Sequence, residues 1–466
     1  MTPMRMMASR AGRSMWARAA SAALALSVAA PLAAQTSLTI YNDGRVLVRR
    51  QVPMDLPRGQ SQHTLVTGPM DPGTLFPLDP GVSFVAGSYD AGVDQQSALR
   101  RAIGRRLVFR VGKDTSSAEV IGVDPERYKL PDGTISFQAP GIPEYPADLV
   151  TVDPGYTFTV TSSEARKSLG LGYFVQGGGW AASYQIVIAG ETARMMGQAV
   201  VNGGPLRVRD AELQLLAGRV SVAEPARAGI APRAQAMMVA KNAYEAEAPT
   251  EEKVGEFHLY TLPGRNSLEP GVTTSIGLFT PAAARVHKTF EVHGQIPYWG
   301  GLAQYGQEDD VPVNITYTIE RPRKTDLGDR PLPGGVARLF EADSSGRLQL
   351  IGESAMPHSP AGEDLHLAAG VAFDLTAKRV QTGYSTRRDT LPGGLRTVAT
   401  ADYRVTLNNA GATPATVYVV EERGGEWNIV SSSVPPEKQS STRTRFAVPV
   451  PANGRAVLTY RVRILW

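Results

Sequence analysis

The 466-residue chain reads as all-β: antiparallel β-sandwich domains with one short helix and a long flexible insertion. Two observations predict the strands. Apolar and polar residues alternate with period two in segments spread along the chain, and 47 Gly with 34 Pro punctuate them with turn chemistry. A third observation predicts how little helix there is, since one segment alone combines a cap, a helix-forming run and a stop.

At the N-terminus, Arg5, Arg10, Arg13 and Arg18 precede a short apolar run, Ala19 to Ala30, and Leu32-Ala33-Ala34 offers small residues before Gln35. That layout is a secretory signal peptide over residues 1–34, cleaved after Ala34, and its apolar run is too short to span a bilayer. The mature chain is expected to be periplasmic or secreted, and no later stretch reaches the ~18 apolar residues of a transmembrane helix. The chain has 48 basic and 44 acidic residues; the signal holds 4 arginines and no acid, so 48 less 4 leaves 44 against 44. The basic excess belongs to the export signal, which argues against nucleic acid as a partner. With 0 Cys, a lipoprotein anchor, disulfides, thiolate metal sites and cysteine nucleophiles are all excluded.

Residues 35–168 read as an N-terminal β-domain, with turns at Asn42-Asp43-Gly44 and Pro131-Asp132-Gly133. The helix is expected over Asp94 to Ile103, capped by Asp94 and stopped by Gly104. Arg100, Arg101, Arg105, Arg106 and Arg110 form a solvated helix face running into a strand. Tyr156, Phe158 and Val160 then alternate with threonines on a strand with one buried face.

Residues 169–466 read as a larger sandwich domain interrupted by a mobile insertion at 223–253, where Ala, Pro, Glu and Met replace the alternation. Its most informative stretch runs from Leu169 to Val220. Trp180 and Tyr184, four apart on a strand, share a face and are expected in one core. Gly177, Gly178 and Gly179 suit a bend better than a phosphate cradle, since no helix comes after them. Gly170-Leu171-Gly172 begins like a dinucleotide fingerprint, but Val175 fills the third glycine's place and no βαβ unit surrounds it. Further strands lie at Ile315-Tyr317-Ile319 and Tyr403-Val405-Leu407, with turns at Pro333-Gly334-Gly335 and Asn453-Gly454.

This block resembles exported bacterial proteins of the mucoidy-inhibitor-like group, which share the domain of unknown function four-one-three-nine. The resemblance rests on Gly179, Trp180 and Tyr184, then Val200-Val201-Asn202, then Leu213, Leu215 and Gly218. It continues through Glu256 to Pro263, through Leu327-Gly328 to Pro331-Leu332-Pro333-Gly334-Gly335, and through Ile351-Gly352-Glu353 to Gly370, Phe373 and Asp374. Asn202 is followed by Gly-Gly-Pro, where the family has a longer polar loop. The resemblance implies an all-β envelope protein and supplies no catalytic residue to transfer.

Chemistry is sparse in the sequence. There is no P-loop, no Gly-x-Ser-x-Gly elbow and no His-Glu-x-x-His. On a strand His287, Glu291 and His293 share a face, but the two histidines stand roughly 20 Å apart at ~3.3 Å per residue, so only Glu291 and His293 can cooperate. His358 and His366 read as loop and strand residues, and Glu308-Asp309-Asp310 as a solvated turn. No catalytic, cofactor-binding or metal residue is nominated. Leu458, Tyr460, Val462, Ile464 and Trp466 alternate to the last residue, as in the closing strand of an outer-membrane barrel, but are expected to form the last strand of a sandwich. The expected function is a non-enzymatic binding or scaffolding module of the cell envelope whose partner is an envelope protein or glycan. An outer-membrane barrel or barrel accessory, and a hydrolase with a dispersed active site, are the alternatives.

Overall fold

A computed structural model describes residues 36–218, 220, 250–254, 257–296, 306–391 and 394–466, and throughout them the predicted alternation becomes burial. Phe158 and Val160, Tyr317 and Ile319, and Tyr403, Val405 and Leu407 all face protein interior. Each such side chain contributes about 1.5–3 kcal/mol by leaving water. The chain is all-β. The signal at 1–34 and most of the insertion at 223–253 lie outside the described residues; the end of the latter is a strand, Thr250–Val254, paired with Phe257–Thr261.

The first strands, Thr36–Tyr41 and Arg45–Leu56, form a hairpin about Asn42-Asp43-Gly44. Arg45–Leu56 pairs with Arg166–Gln176, and Thr36–Tyr41 runs parallel to Val208–Ala217. This eight-stranded sheet therefore joins segments from both sides of residue 168. Gly170 and Gly172 sit in it because Leu78 and the Phe76 ring lie where side chains would stand.

Between these strands the chain makes a three-stranded sheet, Gly59–Val66, Gly155–Ser162 and Val82–Asp90, and a five-stranded sheet over residues 106–144. The five-stranded sheet is backed by the helix Gln95–Arg101, and together they bury Leu99, Phe109, Val120 and Tyr128. The helix begins as predicted, with Asp94 Oδ1 accepting from Ser97 N at 2.7 Å, and Gly104 comes after it at φ +80°. Its last arginine and two that come after it are held by acids from before and after the helix in the chain. Arg101 pairs with Asp90 at 2.6 Å, Arg105 with Asp148 and Arg110 with Glu144.

A ten-stranded sheet carries the middle of the chain: Leu348–Met356, Gly335–Ala342, Gly179–Ala189, Thr192–Asn202 and the 23-residue strand Thr273–Gln295 lie side by side. Asn314–Ile319 and Leu365–Val371 branch from the last of these. The sheet curls until Leu365–Val371 meets Leu348–Met356, where the Ser354 hydroxyl accepts from Ala368 N at 3.2 Å and Gly352 leaves room for Ala369. Its interior holds Trp180, Tyr184, Ile186, Met195, Leu339 and Leu367, and this is the first core. Arg321 is fully buried beside it. Its guanidinium donates to the carbonyls of Leu327 (3.1 Å), Pro360 (3.2 Å), Glu363 (3.0 Å) and Arg330 (2.5 Å).

The far end of Thr273–Gln295 pairs in parallel with Ala415–Glu422, which pairs with Arg443–Val450. A five-stranded sheet faces these strands: Glu308–Val311, Leu375–Leu391, Gly394–Asn409, Gly454–Leu465 and Glu426–Ser432. The sandwich encloses the second core, with Val292, Val419, Phe446, Val405, Leu458 and Val462.

Two expectations change. Glu308-Asp309-Asp310 is a strand rather than a turn, since it extends the sheet edge and sets Glu308 and Asp310 3.7 and 3.9 Å from Lys378. The sheets are mixed rather than purely antiparallel, because Gly179–Ala189 also runs parallel to Gly335–Ala342. Parallel partners are joined by long crossovers that local alternation cannot reveal.

Candidate functional site

The glycine-aromatic block is framework. Trp180 Nε1 donates to Leu216 O at 3.2 Å, and the Tyr184 hydroxyl donates to Pro333 O at 2.6 Å. Burial pushes the Tyr184 phenol far above its ordinary pKa, which suits a hydroxyl that donates to a carbonyl. Gly177 has φ +89°, and the approach of Val46 to Gly178 leaves no space for a side chain. Gly334 N donates to His358 Nδ1 at 3.0 Å, so this histidine braces the neighbouring turn.

An open site lies at the seam between the two cores. Strand Thr273–Gln295 serves both, through Val286 in the first and Val292 in the second. Along one edge its ladder with Thr192–Asn202 ends at Arg285, and its ladder with Ala415–Glu422 begins at Phe290. Asn314–Ile319 covers the other edge throughout Val286 to Glu291. The interruption opens into a cleft of about 650 Å³ whose lining includes Lys288, Phe290, Ile315, Phe373, Asp374 and Tyr418.

The cleft combines aromatic surface with unspent polar groups. Phe373 is 96% exposed, although its loop is tied on both sides, by Ala372 N to Val313 O and Ala410 N to Asp374 O, each at 2.8 Å. Phe373 thus presents a large apolar ring to solvent on a loop that is tethered on both sides. The Asp374 carboxylate has no hydrogen bond or ion pair among the described residues. The Lys288 ammonium lies 5.4 Å from the Phe290 ring centroid and 5.8 Å from that of Tyr317. Asn409 builds the wall, donating to Thr413 O (2.8 Å) and Pro451 O (3.2 Å) and accepting from Gly411 N (2.9 Å).

The histidines named from the sequence divide as the spacing requires. His293 Nε2 donates to Glu291 Oε2 at 3.1 Å, while His287, which lines the cleft, pairs with Glu320 at 2.6 Å. The bond with His293 holds Glu291 below the usual carboxylate range, and the same bond holds the His293 ring above its ordinary value. His366 lies on the strand Leu365–Val371, its Nδ1 3.0 Å from the Thr318 hydroxyl. Among the described residues no three His, Cys, Asp or Glu side chains converge as metal ligands.

Sequence reasoning missed a buried ionic cluster in the second core. Arg379 Nε and Nη2 each donate to Glu421 at 3.0 Å, and Tyr460 donates its hydroxyl to the same carboxylate. The Arg379 guanidinium stacks 4.0 Å from the Tyr403 ring centroid. Burial works against the Arg379 charge, but Glu421 more than offsets it and raises the arginine's pKa. Burial and then Glu421 push the Tyr460 phenol far up. Such a cluster ties the two facing sheets together through side chains. The missed signal was phase: Glu421 continues the apolar positions Val417 and Val419, and Arg379 continues Leu375 and Ala377.

No family model matches this chain, and no curated protein matches it.

Proposed function

We propose that the chain is a non-enzymatic exported β-protein that serves as a binding or scaffolding module of the cell envelope, with the seam cleft as its binding site. The observation that carries this reading is Phe373, almost wholly exposed on a loop tied at both sides, next to the carboxylate of Asp374, which is unpaired among the described residues. A concave site with aromatic surface and a few free polar groups, placed where two packed units meet, is the common form of a ligand site. The export signal over residues 1–34 and the resemblance to mucoidy-inhibitor-like proteins supply the envelope setting. Leu458, Tyr460, Val462 and Ile464, which would face lipid in a barrel, pack into the second core. That observation favours a sandwich over an outer-membrane barrel.

Two measurements test the reading. After carbonate washing of membranes, the mature protein is expected in the supernatant; retention in the pellet would favour a barrel. Chemical cross-linking of intact cells is expected to join the protein to one envelope component, and Phe373→Asp to abolish that adduct. An adduct that survives Phe373→Asp contradicts the proposal.

A further inference from the structure

The floor of the seam cleft specifies what it holds. Peptide groups of an antiparallel strand point alternately to its two edges. Arg285 O accepts from Glu320 N at 2.9 Å, so residues 285, 287 and 289 direct their groups toward Asn314–Ile319. Val286, Lys288 and Phe290 direct theirs to the opposite edge. There Val286 N donates to Glu191 O at 2.9 Å, and Phe290 enters the parallel ladder beside Val417. Lys288 falls between, beyond the last rung with Thr192–Asn202 and before the first with Ala415–Glu422. Its N–H and C=O therefore open into the cleft. An interrupted ladder edge is a template for another extended backbone, and the side chains beside that edge decide which sequences pair with it.

We propose that the seam cleft binds a short extended peptide segment of a partner protein, paired through its backbone to Lys288. This rests on the binding-module reading and names its ligand class. One residue of the segment exchanges both backbone hydrogen bonds with Lys288. An apolar side chain of the segment covers Phe373 and Phe290, and a neighbouring Lys or Arg pairs with Asp374, the unspent carboxylate of the lining. A sugar ring could stack on Phe373 but would leave the paired N–H and C=O of Lys288 without the partner their spacing fits. The extended backbone is thus the better match.

The experiment uses the full mature protein and a displayed library of random heptapeptides, with Phe373→Asp protein as the counter-selection. Phe373 is exposed on its loop, so this variant and Phe373→Ala are expected to fold normally. Selected peptides, made synthetically with blocked ends, should share an apolar residue next to Lys or Arg. Affinity should fall by about tenfold or more with Phe373→Ala. N-methylation of one backbone nitrogen of the peptide should weaken binding by roughly three- to tenfold, as expected for one lost hydrogen bond, with little effect at the residues on either side. Asp374→Asn should remove the preference for a basic residue. No enrichment over Phe373→Asp, or an N-methyl scan with no sensitive position, overturns the inference. If the library fails while the cell cross-link at the cleft proves to be a polysaccharide, the peptide inference falls and the binding-module reading stands. If both fail, both fall.

Discussion

The two cores each bury an arginine, and they satisfy it by opposite means. Beside the first core, Arg321 spends its donors on four backbone carbonyls of the 327–330 and 360–363 segments, and burial lowers its pKa. In the second core, Arg379 meets the carboxylate of Glu421, which also takes the Tyr460 hydroxyl, and its pKa is raised. The first arrangement fixes loops, since a guanidinium with several donors can gather carbonyls that no strand satisfies. The second fixes sheets, since its members come from three strands on both layers of the sandwich. One arginine replaces missing backbone partners; the other belongs to a side-chain network that could in principle be exchanged as a set.

That difference can be broken by mutation. The largest effect is expected from Glu421→Ala, which strands Arg379 and Tyr460 in the second core and should cost about 3–5 kcal/mol in urea denaturation. The triple replacement Arg379→Met, Glu421→Met and Tyr460→Phe should recover most of that loss, because no charge is then buried alone. A triple variant as unstable as Glu421→Ala would show that the network is not a separable unit. Arg321→Met should cost about 1–3 kcal/mol for carbonyls left dry. No second side-chain change should rescue it, since its acceptors are backbone. The smallest effect concerns the partly exposed Glu291–His293 pair at the seam. Its His293 share is present below the ordinary imidazole pKa of about 6.5 and is lost as pH rises through the raised folded value. Its Glu291 share is present above about 4.3 and is lost as pH falls through the lowered folded value. The pair should therefore stabilise most between those limits, by no more than about 1 kcal/mol given its exposure. An NMR titration of His293 should show a raised midpoint that Glu291→Gln brings back down; an unmoved midpoint refutes the pairing.

Legibility in the sequence tracked the range of the forces involved. The helix was readable because its cap and stop are local: Asp94 needs only Ser97 N, and Gly104 only its own φ. Trp180 and Tyr184 were readable as core because two positions on one strand face settle their side. The parallel partner of Thr36–Tyr41 was not, because Val208–Ala217 lies far along the chain and nothing in either segment names the other. The seam was hidden for the same reason. Phe373 and Asp374 stood in a segment noted only for its family resemblance, and their value as a site depends on where two ladders on a third strand stop and start. Glu421 and Arg379 carried a visible signal, a charge on the buried phase of a strand, but their meeting depends on how two sheets stack.

The seam cleft as a binding site is tested most directly by placing a photo-cross-linking phenylalanine analogue at position 373 in living cells, with the also highly exposed Val152 position as control (Phe373 is 96% and Val152 83% exposed). One discrete adduct at 373 and none at 152 is the predicted result. No adduct at 373, or the same adducts at both positions, would contradict it.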